Sequence, residues 1–218
     1  MNKEVICVTS ITYAESTLPE SWVLERGAEN RTLPIVFTLY VIKTENRLIL
    51  VDAGCDELPG FVMRNFSRPV DALEKQDILP QSITDVIITH AHRDHIGAVH
   101  HFKNSIIYIQ KDEYEKGRTF IPDDFQVRCF DDECEIDTSV KMIKIGGHSV
   151  GSCVVVFEMN HKKYVIAGDE CYRKECLEMK IPTGKSCCPE KSRKFIEDYG
   201  DGSYVLLLCH DPNIQYGI

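Results

Sequence analysis

The chain has 218 residues, enough to bury roughly 70–75% of its unfolded surface as one domain without disulfide staples. Hydrophobic residues at 43% and charged residues at 27% are ordinary globular usage, which excludes a disordered or fibrous protein. A net charge of −9 argues against nucleic acid as a partner, because counterion release needs clustered Lys and Arg. No apolar run approaches the ~20 residues of a membrane helix, so no membrane partner is expected either.

From the start, Met1-Asn2-Lys3-Glu4 leads straight into the strand-like Val5-Ile6-Cys7-Val8, with no signal-peptide pattern, so a cytoplasmic protein is expected. The polar stretch 14–34, with Pro19, Trp22 and Pro34, reads as a loop that either packs plainly or lies over a site. Strands follow over 35–43 and 47–51, joined by a hairpin turn at Thr44-Glu45-Asn46. Phe61, Met63 and Phe66, between Pro59 and Pro69, are a second apolar candidate for pocket lining. A helix is expected over 70–79, a strand over 85–89, and a helix over 94–102 that leaves His100 and His101 exposed or partly packed. Strands 105–109, 140–145, 153–158, 163–167 and 204–209 and helices 111–116 and Pro189–Tyr199 complete the pattern. The last helix opens on Pro189 and stops at Gly200, both well placed for those roles. His161 sits in Asn160-His161-Lys162-Lys163, a turn by composition.

Half of the strands follow one another directly, so an alternating parallel sheet fits poorly. Two packed sheets with helices outside, within residues 1–218 as one domain, fit better. The ten cysteines contain no Cys-x-x-Cys and are read as reduced thiols, with Cys153 and Cys209 inside apolar runs as core residues. Cys187 and Cys188 are adjacent and cannot both serve a simple tetrahedral site.

The most informative feature is that five apolar strands end on a polar residue: Asp52, His90, His148, Asp169 and His210. A side chain just past a buried strand stands on a rigid base at the rim of the sheet, where sites are built. His90-Ala91-His92-Arg93-Asp94-His95 holds four candidate ligands in six residues, a mixed nitrogen and oxygen set suited to a divalent ion. On a turn, His90 and His92 face one way while Asp94 and His95 face another, an arrangement for two neighbouring ions. His148 lies between Gly146-Gly147 and Ser149-Val150-Gly151-Ser152, small residues that let backbone crowd an ion.

Together, Thr89-His90-Ala91-His92-Arg93-Asp94-His95-Ile96-Gly97, Gly147-His148-Ser149-Val150-Gly151-Ser152, Gly168-Asp169 and His210 resemble the metallo-β-lactamase superfamily of metal-dependent hydrolases. Leu50-Val51-Asp52-Ala53-Gly54 matches its early strand-and-turn motif, in which Asp52 supports the site without being a ligand. The resemblance covers roughly 35–211. It implies an α+β fold, a four-layer αβ/βα sandwich of two packed mixed sheets with outer helices. Two divalent metal ions are implied, with zinc the default: one held by His90, His92 and His148, the other by Asp94, His95 and His210, with Asp169 bridging. Asp169 stands where the lactamase classes with a cysteine ligand place it, and Cys171 lies two residues on.

Within the superfamily, Asp169-Glu170-Cys171-Tyr172 and His210-Asp211 are most similar to the N-acyl homoserine lactonase branch, which carries a tyrosine three residues after the bridging aspartate. Arg93 departs from it, standing where those lactonases commonly carry an aromatic residue; it either grips a substrate anion or pairs with an acid at the surface. The chain also stops at Ile218, sooner after His210 than in relatives, so one wall of the pocket is expected to differ. The implied activity is opening of a lactone or small ester in a small-molecule substrate by a metal-bridging hydroxide. Asp94 and Tyr172 are the implied catalytic residues, as proton shuttle and oxyanion donor. A thioesterase of glyoxalase type, a β-lactamase and a non-catalytic metal- or ligand-binding protein stay open as alternatives, as does a homodimer. No Gly-x-Ser-x-Gly elbow points to a serine hydrolase instead.

Overall fold

The computed structural model describes residues 5–213. The first sheet carries β1 (Cys7–Pro19), β2 (Thr32–Lys43), β3 (Leu48–Val51), β4 (Asp85–Ile88), β5 (Ile106–Gln110) and β6 (Gln126–Phe130), side by side in that order. β1, β2 and β3 pair antiparallel, whereas β3, β4, β5 and β6 run parallel. The second sheet holds β7 (Glu133–Asp137), β8 (Val140–Lys144), β9 (Cys153–Met159), β10 (Lys162–Ile166) and β11 (Tyr204–Leu207), in the order β11-β10-β9-β8-β7. Its neighbours are antiparallel except for the parallel pair β10 and β11. The helices are α1 (Glu20–Val23), α2 (Pro69–Glu74), α3 (Arg93–Ile96), α4 (Lys111–Gly117), α5 (Lys174–Met179) and α6 (Pro189–Tyr199).

The layering follows from the period-2 alternation of strands that are apolar on both faces. Ile49, Val51, Ile87 and Tyr108 of the first sheet meet Met142, Val155, Phe157 and Ile166 of the second in a core between the sheets. The intervening residues Leu50, Val86, Ile88, Ile107 and Ile109 belong to the helix-side core with Leu73, Ile96 and Phe102. On the second sheet Val154 and Val165 join Phe195 and Ile196 of α6 in that same core. Each such side chain contributes about 1.5–3 kcal/mol on full burial. Two mixed sheets with helices outside bear out the expected α+β sandwich.

Several elements differ from the sequence reading. The stretch 14–34 is not a loop throughout: β1 runs to Pro19, α1 follows, and β2 begins at Thr32. The helix expected over 94–102 is broken in two, α3 and a 3-10 turn over Val99–His101. The carbonyl of Asp94 accepts from the Tyr13 hydroxyl, and the Ala98 N–H donates to Gly54, so the helical bond between these two groups is not made. The helix expected over 70–79 stops at Glu74 because the chain turns through a left-handed Asp77. Strands β6 and β7 were not expected. The 160–161 turn and the limits of α6 agree with the sequence. All ten cysteines are free thiols, with Cys153 and Cys209 buried as read. Met1 to Glu4 and Ile218 lie outside the described residues.

This topology assembles the rim. Because β3 and β4 are parallel, Asp52 and His90 leave the same edge of the first sheet; because β10 and β11 are parallel, Asp169 and His210 leave one edge of the second.

Candidate metal centre and substrate pocket

The His90–His95 turn is held from below. Asp52 sits in the left-handed region (φ 62°), which a short polar side chain tolerates, and accepts from the Thr89 N–H at 2.8 Å and the Thr89 hydroxyl at 2.9 Å. The same carboxylate lies 2.7 Å from His95 Nδ1, which leaves Nε2 of that ring facing the site. His210 Nδ1–H donates to the Val36 carbonyl at 2.8 Å, again turning Nε2 towards the site. Fixing one ring nitrogen to present the other is how ligating imidazoles are oriented.

The seven side chains expected to converge do so. His90 Nε2 and His148 Nε2 lie 2.9 and 3.0 Å from His92 Nδ1, and 3.4 and 3.3 Å from Asp169 Oδ2. The other oxygen, Asp169 Oδ1, lies 3.1 Å from His95 Nε2 and 3.0 Å from His210 Nε2. Asp94 Oδ2 closes that second group, 3.5 Å from His95 Nε2 and 3.9 Å from His210 Nε2. Two clusters therefore share one carboxylate: His90, His92, His148 and Asp169 could hold one cation, and Asp94, His95 and His210 another. His95 Nε2 is buried without a hydrogen-bond partner although it points at two carboxylates, an orphan that a cation would satisfy. The donor set of imidazole nitrogens and carboxylate oxygens fits zinc or a similar divalent metal.

The electrostatics divide along the same line. Burial pushes His90 and His148 down to about 3, so both rings are neutral and ready to donate a lone pair. His95 and His210 are buried too, yet the nearby carboxylates, Asp169 foremost, outweigh burial and hold both above the usual imidazole value. Asp169 is held well below the carboxylate range, since the four surrounding rings, His95 first, outweigh its burial. Its negative charge at the centre is what a cation would meet.

Two carboxylates that the sequence reading did not select hold the ligand loops together. Glu170 accepts from the N–H groups of Gly147 and His148 and from the hydroxyls of Ser152 and Ser192. A Cβ at Gly147 would stand 2.4 Å from Glu170 Oε2 and 2.2 Å from Ser192 Oγ, so only glycine lets this carboxylate reach the backbone. Glu113 accepts from Ala91 N–H, the Ser149 hydroxyl and Gly151 N–H, which binds the His90–His92 turn to the His148 loop. Burial raises Glu113, but these bonds outweigh it and hold the carboxyl below its ordinary value. Neither residue belongs to the ligand motif. Glu170's adjacency to Asp169 was the one available hint.

Tyr172 lies over the centre, its ring centroid 4.8 Å from that of His210 and 5.9 Å from that of His148. Burial and the charges of Asp169 and Asp94 raise its hydroxyl well above the usual value, so it stays a proton donor. Cys171 faces away and donates to the Arg173 carbonyl. Above the centre opens a cavity of about 630 Å³ whose apolar walls include Leu18, Trp22, Ile35, Phe37 and Phe61. Trp22 and Phe61 line it, whereas Met63 and Phe66 border an adjoining hollow on the other side of Phe61 and line the main cavity nowhere. Of the two roles open to Arg93, the structure shows the acid pair: its guanidinium lies 2.7 Å from Glu57 Oε1, at the pocket's edge. His100 and His101 are partly exposed, at 3.3 and 2.8 Å from Asp56 Oδ2.

Residues 38–194 match the model of the metallo-β-lactamase superfamily. The chain belongs to that superfamily. It is 26% identical over 192 residues to an N-acyl homoserine lactonase of Bacillus cereus, spanning 73% of this chain and 76% of the relative. The crystal structure of a quorum-quenching N-acyl homoserine lactone lactonase superposes with a TM-score of 0.85 at 23% identity, over 97% of this chain and 95% of that one. An N-acyl homoserine lactone hydrolase with the product N-hexanoyl-L-homoserine at its catalytic metal centre gives 0.83 at 22% identity, over 97% and 95%. This metallo-β-lactamase-fold chain is thus a hydrolase related to these lactonases. Among the described residues no helix is long and apolar enough to cross a membrane.

Proposed function

We infer that the chain opens a lactone or related small ester with the help of two divalent cations, zinc by its donor set, and that an N-acyl homoserine lactone is the first substrate to try. The observation that carries this reading is the split of Asp169, one oxygen facing His90 and His148 and the other facing His95 and His210. His90, His92 and His148 would hold one cation and Asp94, His95 and His210 the other, with Asp169 between them. Bound there, such cations acidify water towards neutral pH and polarise a carbonyl oxygen.

The chain's own groups do the rest. The protonated Tyr172 hydroxyl donates to the carbonyl oxygen as negative charge develops on it. Water oxygen bonds to the carbonyl carbon, the ring C–O bond breaks, and the proton given up by water passes through Asp94 to the leaving alkoxide. Asp94 suits this shuttle because it is less buried than Asp169 and lines the open pocket. The apolar walls take up the acyl part and keep bulk water away. We further propose that the chain acts in the cytoplasm on a small molecule; sedimentation decides between monomer and homodimer.

A lactone, thioester and β-lactam panel, run beside elemental analysis, tests this. Lactone turnover with two ions per chain is expected, and Tyr172→Phe should cut lactone kcat/KM by about 10²-fold with metal content intact. Protein that carries both ions and turns over none of the panel would overturn it.

A further inference from the structure

Two cations border the pocket, and only one is committed. Arg93 is spent on Glu57, with Nε 3.2 Å from its carbonyl and a terminal nitrogen 2.7 Å from its carboxylate. Lys185 makes no ion pair among the described residues; its Nζ stands 4.4 Å from the centroid of the Trp22 ring, a cation–π contact. The loop that carries it is fixed on both sides. The Gly184 N–H donates to the Trp22 carbonyl at 3.1 Å, and a Cβ there would stand 1.8 Å from the Ser21 carbonyl oxygen, so this approach to α1 requires glycine. Beyond Lys185, the N–H groups of Cys187 and Cys188 donate to the carbonyls of His148 and Gly147. The loop is therefore held by backbone bonds, the ammonium sits on the Trp22 ring, and both line the same cavity as Asp94 and Tyr172.

We propose that Lys185, seated on Trp22, anchors a carboxylate at the far end of the substrate's acyl part, so that the preferred substrate is a lactone or ester with an anionic tail. A neutral tail would gain nothing from the ammonium, and the chain's net charge of −9 repels anions unless a local cation receives them. One ammonium matches one monoanion; a phosphate would call for further donors, and Arg93 is occupied. This inference rests on the hydrolase reading above and adds the substrate class to it.

The test uses metal-replete full chain and two isosteric acyl lactones, one ending in methyl and the other in carboxylate. The anionic member should show a kcat/KM roughly five- to tenfold higher, mostly through KM, and the advantage should shrink as salt rises. Lys185→Met should bring the ratio to about one, and Lys185→Arg should retain it. Trp22 is the chain's one tryptophan, so its fluorescence reports the contact directly. An uncleavable amide with a carboxylate tail should shift that emission and bind more tightly than its methyl isostere, and Lys185→Met should abolish the difference. Equal kcat/KM for the pair, or a preference that survives Lys185→Met, overturns the anchor while leaving the hydrolase reading intact. If neither lactone is cleaved but the fluorescence difference holds, the lactone-opening reading fails and the anchor stands.

Discussion

The floor of the pocket and its mouth are built differently. On the floor, Asp52, Glu113 and Glu170 are buried, and together they accept from backbone N–H groups of Thr89, Ala91, Gly151, Gly147 and His148. At the mouth, Arg93 and Glu57 meet in a single pair with side chains 41% and 71% exposed, and Lys185 rests on an aromatic face. Buried charge survives only when its hydrogen bonds are complete, whereas exposed charge costs little to rearrange. The floor therefore fixes geometry, and the mouth is where recognition can vary without disturbing it.

The contrast can be broken at several depths. Asp169→Asn removes the charge that both clusters share; metal content should fall below two per chain and turnover by more than about 10²-fold, as elemental analysis and kinetics would show. Retention of both ions would mean the two clusters do not depend on a common carboxylate. Glu170→Gln forces an amide against hydroxyl and N–H donors around His148. Metal affinity should weaken about 10–100-fold in a competition titration. The melting temperature should drop by several degrees, each kcal/mol being worth about 2–4 °C in a chain of this size.

Glu113 offers a pH-dependent test. Its folded carboxyl titrates below its ordinary 4.5, so the folded state gains stability from it above that pH and loses the gain as pH falls through the folded value. Glu113→Gln should therefore lie below the parent at pH 7 in denaturant midpoint, with the gap closing under acid. A gap that widened under acid would reverse the sign assigned to the clamp. At the mouth, Glu57→Gln should move the melting temperature by no more than about 2–4 °C, since exposed pairs contribute under about 1 kcal/mol. A larger loss would show that the mouth is as rigidly built as the floor.

His90, His148, Asp169 and His210 were legible because each follows an apolar run, and His92, Asp94 and His95 because they crowd beside His90. β11, before His210, is an edge strand but reads as an apolar run all the same. The strands that escaped notice are edges. β6 (QVRCF) closes one sheet, β7 (ECEID) closes the other, and most of β1, rich in Ser and Thr, forms the remaining edge of the first. An edge strand is half solvated and carries charge against unwanted pairing, so its alternation is weak in sequence. Glu113 and Glu170 escaped for another reason. Their partners are backbone groups brought close by folding, and no spacing encodes them. The two options for Arg93 were equally undecidable, since Glu57 lies 36 positions away.

His90, His92, Asp94 and His95 leave the first sheet, while His148, Asp169 and His210 leave the second. Any cation seated among them is consequently a rivet through both halves of the sandwich. Its binding energy adds to cohesion, and heat tolerance should climb with the logarithm of free zinc concentration. Chelation, read as faster amide exchange along β4 and β10, would slacken the whole molecule rather than merely silence one pocket.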